Sequence, residues 1–241
     1  MSCSDESPGA DNNEPSAPTA CVLTSVSTSV ASNTFVRNDE GTITGINYKY
    51  GDFVGGCTIE YDSKRKVVRI NDDQFHTAYS YDSEGRVTTE TFVNENPTPP
   101  ESAELVRTFN YNTSGQLAKI NYASGAYYRF EYYADGNVRA VYAYVASGSE
   151  FLQREYLDYD DKFFSLKDVP FIINTTLTSN GVKSIRTALS FEHMLNNYRK
   201  VNQFGSNGSV VTQTFGFVYN ETGYPTAITG DHQAALNYSC K

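Results

Sequence analysis

Acidic side chains are the first candidates for chemistry in this sequence of 241 residues. Asp158 and Asp160 are two positions apart, so a strand would place both on one face with Asp161 beside them, and Asp72-Asp73 form a second pair. Carboxylates in such an arrangement could bind Ca²⁺ or act as the acid and base of a glycosidase. Solvated turns explain the same residues, and we favour that interpretation. We therefore predict no metal site, with Asp158 and Asp160 as the candidates if one exists.

Other catalytic patterns are missing from the sequence. The three histidines, His76, His193 and His232, are scattered and form no ligand-spaced motif. No Gly-x-Ser-x-Gly elbow, phosphate loop, dinucleotide fingerprint or Cys-x-x-Cys pair occurs. We therefore predict that the chain is not an enzyme, with no catalytic residue and no cofactor.

Tyrosines offer a different chemistry, because aromatic rings bind flat surfaces at low entropic cost. A concave sheet with exposed rings could stack against sugars or peptides. Packing of bulky residues on both faces of a sheet is the alternative explanation for most of these tyrosines. The densest stretch supplies the candidates: Tyr122, Tyr127, Tyr128, Tyr133, Tyr142 and Tyr144.

Composition and charge narrow the class of protein. The chain contains 19 Tyr and 14 Phe but no Trp, and Thr, Ser, Val and Tyr dominate over strong helix formers such as Ala, Leu and Glu, which favours strands. A net charge of −9 argues against binding to nucleic acid, since a phosphate-binding surface needs clustered Lys and Arg. No apolar run is long enough to span a membrane as a helix.

A hairpin that repeats along the chain must position any functional side chains. In the stretch 79–90, Tyr79 and Tyr81 share one strand face, Asp82 can close a turn, and Gly85 can supply the positive φ that the turn needs. The pattern recurs with an apolar or aromatic residue six positions before the glycine position and Tyr four before it. In the first copy Arg65 replaces the glycine. The five aligned positions are Arg65, Gly85, Gly115, Gly136 and Gly223, with Asn112 in the place of Asp82 in the third copy.

These residues carry a resemblance to a known repeat. The stretch 81–87, Tyr-Asp-Ser-Glu-Gly-Arg-Val, resembles the YD repeat of RHS-type proteins. The layout over 21–240 resembles a family of secreted Bacteroidota lipoproteins of unknown function. The stretch 159–162, Tyr-Asp-Asp-Lys, is similar to a signature of that family, although the usual Asn-Pro after the lysine is absent. The stretches 196–198 and 217–225 resemble its closing hairpin. The resemblance implies a fold and an address, and no established activity.

The N-terminus resembles that of a bacterial lipoprotein after removal of its signal peptide. Ser2 precedes Cys3, and acidic residues follow, as in the signal that exports Bacteroidota lipoproteins to the cell surface. Residues 1–20 are rich in Pro, Ser, Asn and Asp and are predicted to form a flexible tether. The resemblance implies lipidation at Cys3, attachment to the outer membrane and exposure at the cell surface. A disordered end with an incidental cysteine is the alternative.

Three cysteines remain when Cys3 is assigned to the lipid, and they allow three pairings. We favour a disulfide between Cys21 and Cys240, which would fasten the first strand to the last and leave Cys57 as a buried thiol. Three reduced cysteines are an equally open alternative.

The sequence as a whole predicts an all-β, mainly antiparallel fold. Sequential hairpins with short turns form a meander, in one large, twisted and curved sheet or an open barrel. We expect a single β-repeat domain over 21–241, with at most one or two short helices in 163–198. The spacing there fits a short helix over 191–197 or another strand pair, and we favour the helix.

The function predicted from the sequence is binding without catalysis, by a surface-exposed lipoprotein whose sheet recognises a glycan, peptide or partner protein. One alternative is a glycan-processing hydrolase that uses paired carboxylates. Another is a purely structural shell or spacer.

Overall fold

The computed structural model describes residues 21–73, 75–95, 104–145, 148–163, 166, 169, 171–178, 181–189, 194–205 and 207–240. For 171–178 and 181–189 it describes the backbone. The predicted tether over 1–20, the lipidation residue Cys3 and His193 lie outside the described residues.

Runs of β-branched and aromatic residues, separated by Gly, Asn and Asp, form eighteen strands. Their bounds are β1 Cys21–Ser27, β2 Ala31–Arg37, β3 Ile43–Tyr50, β4 Phe53–Tyr61, β5 Val67–Asn71, β6 Phe75–Tyr81, β7 Val87–Asn94, β8 Glu104–Tyr111, β9 Leu117–Tyr122, β10 Tyr127–Tyr132, β11 Val138–Tyr144, β12 Phe151–Phe163, β13 Phe171–Thr178, β14 Gly181–Leu189, β15 Asn196–Phe204, β16 Val210–Tyr219, β17 Pro225–Gly230 and β18 Ala234–Cys240.

Sixteen of these strands form one closed antiparallel barrel, and β13 pairs with β14 in a separate hairpin. Neighbours in the chain are neighbours in the ring, except that β12 pairs directly with β15. The all-β antiparallel prediction is confirmed. The sheet is closed rather than open because β1 pairs with β18, with Cys21 opposite Cys240. Closure removes the two exposed strand edges that an open sheet would leave.

Antiparallel neighbours place alternate turns at opposite ends of the barrel. One end, here called the YD rim, carries the turns 38–42, 62–66, 82–86, 112–116, 133–137 and 220–224, together with the start of β1 and the end of β18. The other end, the far rim, carries connections such as 28–30, 51–52, 123–126 and 231–233. A disulfide between Cys21 and Cys240 joins β1 to β18 at the YD rim, and Cys57 is a buried free thiol.

The core lies inside the barrel, because its buried side chains come from strands all round the ring. Leu23, Ile46, Ile70, Leu117 and Val138 are each no more than 2 % exposed. Burial of such side chains contributes about 1.5–3 kcal/mol each relative to an exposed position. The inward faces of the strands therefore stabilise the closed ring.

Described parts of the segment between β12 and β15 lie inside the barrel. Leu166 packs against the core, and Val169 is 3 % exposed. The backbone of β14 approaches β6, which lies seven strands from β15 in one direction round the ring and nine in the other. The insertion therefore reaches across the barrel.

The short helix predicted over 191–197 is not found in the described part of that segment. Asn196 and Asn197 begin β15, and 171–178 pairs with 181–189 as a hairpin, which was the alternative. Residues 191–193 lie outside the described residues. Cross-strand pairing overrides the helix-like spacing of the apolar residues. Among the described residues, no helix has the length and apolar character needed to cross a bilayer.

Candidate ligand-binding site

The repeat residues at the YD rim stabilise their own turns. Asp82 Oδ1 accepts the Arg86 amide at 2.9 Å, and Asn112 Oδ1 accepts the Gln116 amide at 2.9 Å. The backbone hydrogen bond from Arg86, and then its side chain, hold the pKa of Asp82 below its usual value. The turn glycines all have positive φ, namely Gly85 (81°), Gly115 (77°), Gly136 (93°) and Gly223 (83°). Arg65 takes the same conformation at φ 61°, which is uncommon for a residue with a side chain.

The repeat tyrosines form a ladder round the inside of the barrel. Five of the hydroxyls donate a hydrogen bond to the carbonyl of the apolar residue that begins the second strand of the preceding hairpin, whereas the hydroxyl of Tyr219 donates to Asp160. The pairs are Tyr61 to Ile43 (2.6 Å), Tyr81 to Val67 (2.6 Å), Tyr111 to Val87 (2.9 Å), Tyr132 to Leu117 (2.8 Å) and Tyr159 to Val138 (2.6 Å). Burial raises the pKa of Tyr81 to about 12. This ladder ties consecutive repeats together, so these tyrosines are explained by the fold.

The ladder identifies two further copies of the hairpin. The turn after β2 has Asn38 as its acceptor, bonded to the Glu40 and Thr42 amides. In that copy Arg37 replaces the tyrosine and donates to the Leu23 carbonyl at 3.1 Å. The missing tyrosine concealed this copy in the sequence.

The second additional copy is the β12–β15 pair. Asp160 Oδ1 accepts the amides of Lys162 (3.0 Å) and Asn197 (3.1 Å), as Asp62 accepts those of Lys64 and Lys66. Tyr159 pairs with Tyr198, as Tyr61 pairs with Val67. The insertion that enters the lumen therefore interrupts a YD turn.

Asp158 and Asp160 do not form an exposed carboxylate pair. Asp160 also accepts hydrogen bonds from the Asn197 side chain and from the hydroxyl of Tyr219. Burial, and then the bond to Asp160, raise the pKa of Tyr219. Asp158 is exposed with φ 54°, so the regular alternation that would align the two side chains is broken. In the described part of the chain, no group of three or more His, Cys, Asp or Glu side chains could hold a metal ion.

Three of the candidate stacking tyrosines meet on the outer face of β10 and β11. Tyr127 stacks on Tyr144, with ring centroids 4.9 Å apart. Lys119 Nζ lies 3.5 Å from the Tyr127 centroid, and Arg129 lies 4.0 Å from that of Tyr142. Lys119 lies on β9 and Tyr144 on β11, the strands on either side of β10. The patch is a cross-strand stack of the kind that stabilises a sheet.

The other candidates lie elsewhere. Tyr122 and Tyr128 contact each other at 5.9 Å and belong to the packing against the core. Tyr133 lies at the YD rim, where its hydroxyl donates to the Tyr156 carbonyl at 3.0 Å. The six tyrosines therefore do not form one binding face.

A buried ion pair interrupts the apolar lining of the lumen. Five positions after the turn glycine position, other copies carry Ile70, Ile120, Val141 and Ile228, but β7 carries Glu90. Glu90 is 0 % exposed, and Arg107 Nε donates to its Oε1 at 2.9 Å. The Arg107 guanidinium also lies against the rings of Phe109 and Tyr122. The sequence contained this signal, since only the aligned repeats show that an aliphatic residue is expected there.

A cavity of about 730 Å³ lies inside the barrel at the far rim. The exposed turns 28–30 and 231–233 surround its mouth, and Leu166 of the insertion contributes to its lining. Small-molecule sites in proteins typically measure about 300–1,000 Å³. This cavity, here called the far-rim cavity, has a volume in that range and is the candidate site.

Amide side chains provide much of the polar lining. Gln203 Nε2 donates to Gln213 Oε1 at 2.5 Å, and Gln213 Nε2 lies 2.8 Å from His232 Nε2. Asp231 Oδ2 accepts the Thr214 amide and hydroxyl, and these bonds, the backbone one first, lower its pKa.

Aromatic rings provide the apolar lining. Tyr156, Tyr198 and Phe215 pack edge to face, with centroids 4.9 and 5.2 Å apart. Phe215 also stacks on His232 at 5.8 Å. Gly230 at the mouth has φ 99°, and a Cβ there would lie 2.3 Å from the Thr214 carbonyl oxygen, so this position requires glycine. The cavity thus combines aromatic rings with amide and imidazole groups.

Comparisons with known proteins agree with this fold of closed, repeated YD hairpins. The family model described as Teneurin YD-shell matches residues 34–238. The chain therefore belongs to the Teneurin YD-shell family. None of the curated proteins matches it in sequence.

Two solved structures share the fold over nearly their whole length. A porin-like protein from Bacteroides uniformis is 14 % identical, with 91 % of this chain and 96 % of that chain covered and a TM-score of 0.50. A porin-like protein from Bacteroides vulgatus is 12 % identical, with coverages of 90 % and 98 % and a TM-score of 0.52. The Photorhabdus luminescens Tc holotoxin pore aligns with 86 % of this chain and 11 % of its own, at 13 % identity and a TM-score of 0.32.

Proposed function

We propose that this YD-shell protein is a non-catalytic surface lipoprotein of a Bacteroidota cell that binds a ligand in the far-rim cavity. The observation that carries the proposal is the combination of ring faces and amides around about 730 Å³ of space. The ligand classes are those expected from the sequence, a glycan, a peptide or a segment of a partner protein.

The position of the chain ends supports display at a surface. The described chain begins at Cys21 on the YD rim, and the cavity mouth lies at the far rim. A lipid on Cys3 followed by a tether over 4–20 would hold the YD rim toward the membrane and turn the cavity away from it. The Ser2-Cys3 sequence supports this address, as does the likeness to two porin-like Bacteroides proteins.

Hydrolysis by paired carboxylates has less support than binding. That mechanism needs two carboxyl groups flanking one bond, about 5–10 Å apart. Asp231 is the one carboxylate among the described lining residues, and it is held by Thr214. Asp160 lies at the YD rim, where it closes the interrupted turn. The shell or spacer role remains the alternative if no ligand binds.

Two measurements test the proposal. Mass spectrometry of the protein purified from its native membrane should find acylated Cys3, and an unmodified Cys3 would contradict the anchor. Glycan and peptide arrays probed with the full chain should give reproducible binding on at least one array. Silence on both arrays would remove the binding function and leave the shell role.

A further inference from the structure

We infer that the far-rim cavity takes a neutral oligosaccharide. This inference rests on the proposed function, namely that the cavity binds a ligand, and it specifies the class of that ligand. Four features of the cavity lead to it: a row of amides, an aromatic wall, the lack of a cationic cluster in the described lining, and the closure of the barrel.

The row of amides suits vicinal hydroxyl groups. Gln203, Gln213 and His232 form a continuous hydrogen-bonded line across β15, β16 and the β17–β18 turn. Each amide has two N–H donors and two acceptor lone pairs, so the Gln203–Gln213 bond and the Gln213–His232 bond leave donors and acceptors free on both amides. A sugar presents neighbouring hydroxyls that donate and accept at once, which is the pattern that such a line complements.

The aromatic wall suits the other side of a sugar ring. Tyr198 and Phe215 pack edge to face at 5.2 Å, and Ile228 and Val201 extend the apolar surface beside them. The C–H face of a pyranose is apolar while its edge carries hydroxyls. Apolar contact on one side and oriented polar groups on the other fix such a molecule in a pocket.

Charge in the cavity argues against an anionic ligand. Arg154 is the one guanidinium in the described lining, and it donates to the Tyr156 hydroxyl at 3.0 Å. Asp231 adds a negative charge, since its bonds to Thr214 lower the pKa of the carboxyl group further, and the chain carries a net charge of −9. A phosphorylated, sulfated or sialylated ligand would need clustered cations to balance its charge.

Closure of the barrel argues against an extended peptide. Peptides commonly bind β proteins by adding a strand to a free sheet edge. All sixteen barrel strands are paired on both sides, so the wall that forms the cavity offers no edge. A peptide would have to bind through side chains alone, at the entropic cost of ordering its backbone.

The test uses the full chain on one array of neutral, sialylated and sulfated oligosaccharides and on a peptide array. Titration calorimetry with maltohexaose, xylohexaose and chitohexaose follows. We expect binding to neutral oligosaccharides and none to the anionic set or to peptides. Binding to peptides or anionic glycans alone would overturn the inference while leaving the proposed binding function in place. Silence on both arrays would overturn the two together.

Matched variants place the binding in the cavity. Gln213→Met keeps the size of the side chain but removes its amide, and we expect it to weaken oligosaccharide affinity at least tenfold. Phe215→Leu should weaken it by a similar factor. The control, Thr212→Val, lies on the outer face of the same strand, where it loses a bond to Asn202, and it should leave affinity unchanged. Wild-type affinity in both cavity variants, with unchanged thermal unfolding, would overturn the assignment.

Discussion

The tyrosine ladder predicts a specific stability loss when one hydroxyl is removed. Tyr111→Phe deletes the hydrogen bond to the Val87 carbonyl, which is 2.9 Å long, and keeps the ring that Arg86 covers at 4.9 Å. The change is therefore confined to one oxygen atom. The same substitution at Tyr81 and Tyr132 tests equivalent bonds of 2.6 and 2.8 Å.

The expected magnitude follows from what the substitution leaves behind. A typical intramolecular hydrogen bond contributes about 0.5–1.5 kcal/mol, whereas leaving a buried acceptor without its partner costs about 1–3 kcal/mol. Tyr111 is partly buried, so we expect Tyr111→Phe to lower the free energy of unfolding by about 1–2 kcal/mol. Tyr81→Phe and Tyr132→Phe share no partner, so the double variant should show the sum of the two within about 0.5 kcal/mol.

Urea denaturation followed by circular dichroism measures this loss as a shift of the midpoint at constant slope. The control is Tyr144→Phe, because Tyr144 stacks on Tyr127 on the outer face and keeps that contact without its hydroxyl. We expect the control to remain within about 0.5 kcal/mol of the wild type, as is usual for surface substitutions. If Tyr111→Phe is no less stable than Tyr144→Phe, the ladder does not hold the repeats together.

Three further predictions concern the fold. Burial raises the pKa of Tyr81 to about 12, above the usual value near 10, so the contribution of the neutral phenol to the free energy of unfolding should be fully present below about pH 10 and be lost as the pH rises toward 12. Urea denaturation at stepped alkaline pH measures this loss. A flat profile across that window would contradict the assigned burial. Glu90→Ile should lower the free energy of unfolding by about 3–5 kcal/mol because it leaves the Arg107 charge buried. Adding Arg107→Leu should recover most of that loss in the same assay. If the double variant is as unstable as Glu90→Ile alone, the two residues are not coupled. Replacing Cys21 and Cys240 by serine opens a loop with a sequence separation of 219, and the chain-entropy model predicts a loss of about 5 kcal/mol in the free energy of unfolding. An unchanged thermal midpoint would show that strand pairing alone closes the barrel.

The repeat could be recognised in the sequence because its turn depends on residues that are close together in the chain. Asp82 and Gly85 act within one turn, and Tyr79 and Tyr81 share a face through simple alternation, so four or five residues suffice to predict the hairpin. The antiparallel meander follows because such hairpins are consecutive in the chain. The same alternation places Tyr127 and Tyr128 on opposite faces of one strand.

Closure depends on contacts that no local pattern contains. β1 meets β18 only after the accumulated twist of fourteen intervening barrel strands, so the sequence could not distinguish a closed ring from an open one. The two missed repeats have definite causes. Arg37 performs the role of a tyrosine through a different donor, and the turn of Asp160 is completed by Asn197, after an insertion of more than thirty residues.

The sequence did not predict the far-rim cavity, because its lining residues also meet through long-range contacts. Gln203, Gln213 and His232 have no motif spacing, and they meet because the register of β15, β16 and the β17–β18 turn aligns them. Arg154 and Tyr156 arrive from β12, which pairs with β15 only across the insertion. Binding residues assembled by long-range register carry no signature in the chain itself.

Hydrogen–deuterium exchange with and without a bound neutral oligosaccharide tests the central claim most directly, because it reports which rim the ligand contacts. We predict slower exchange of amides in 28–31, 203–205, 207–215 and 228–234 on binding, with no change in the YD turns 82–86 and 112–116 or in β10. Protection at the YD rim or in β10, with the far rim unchanged, would contradict the assignment of the far-rim cavity as the binding site.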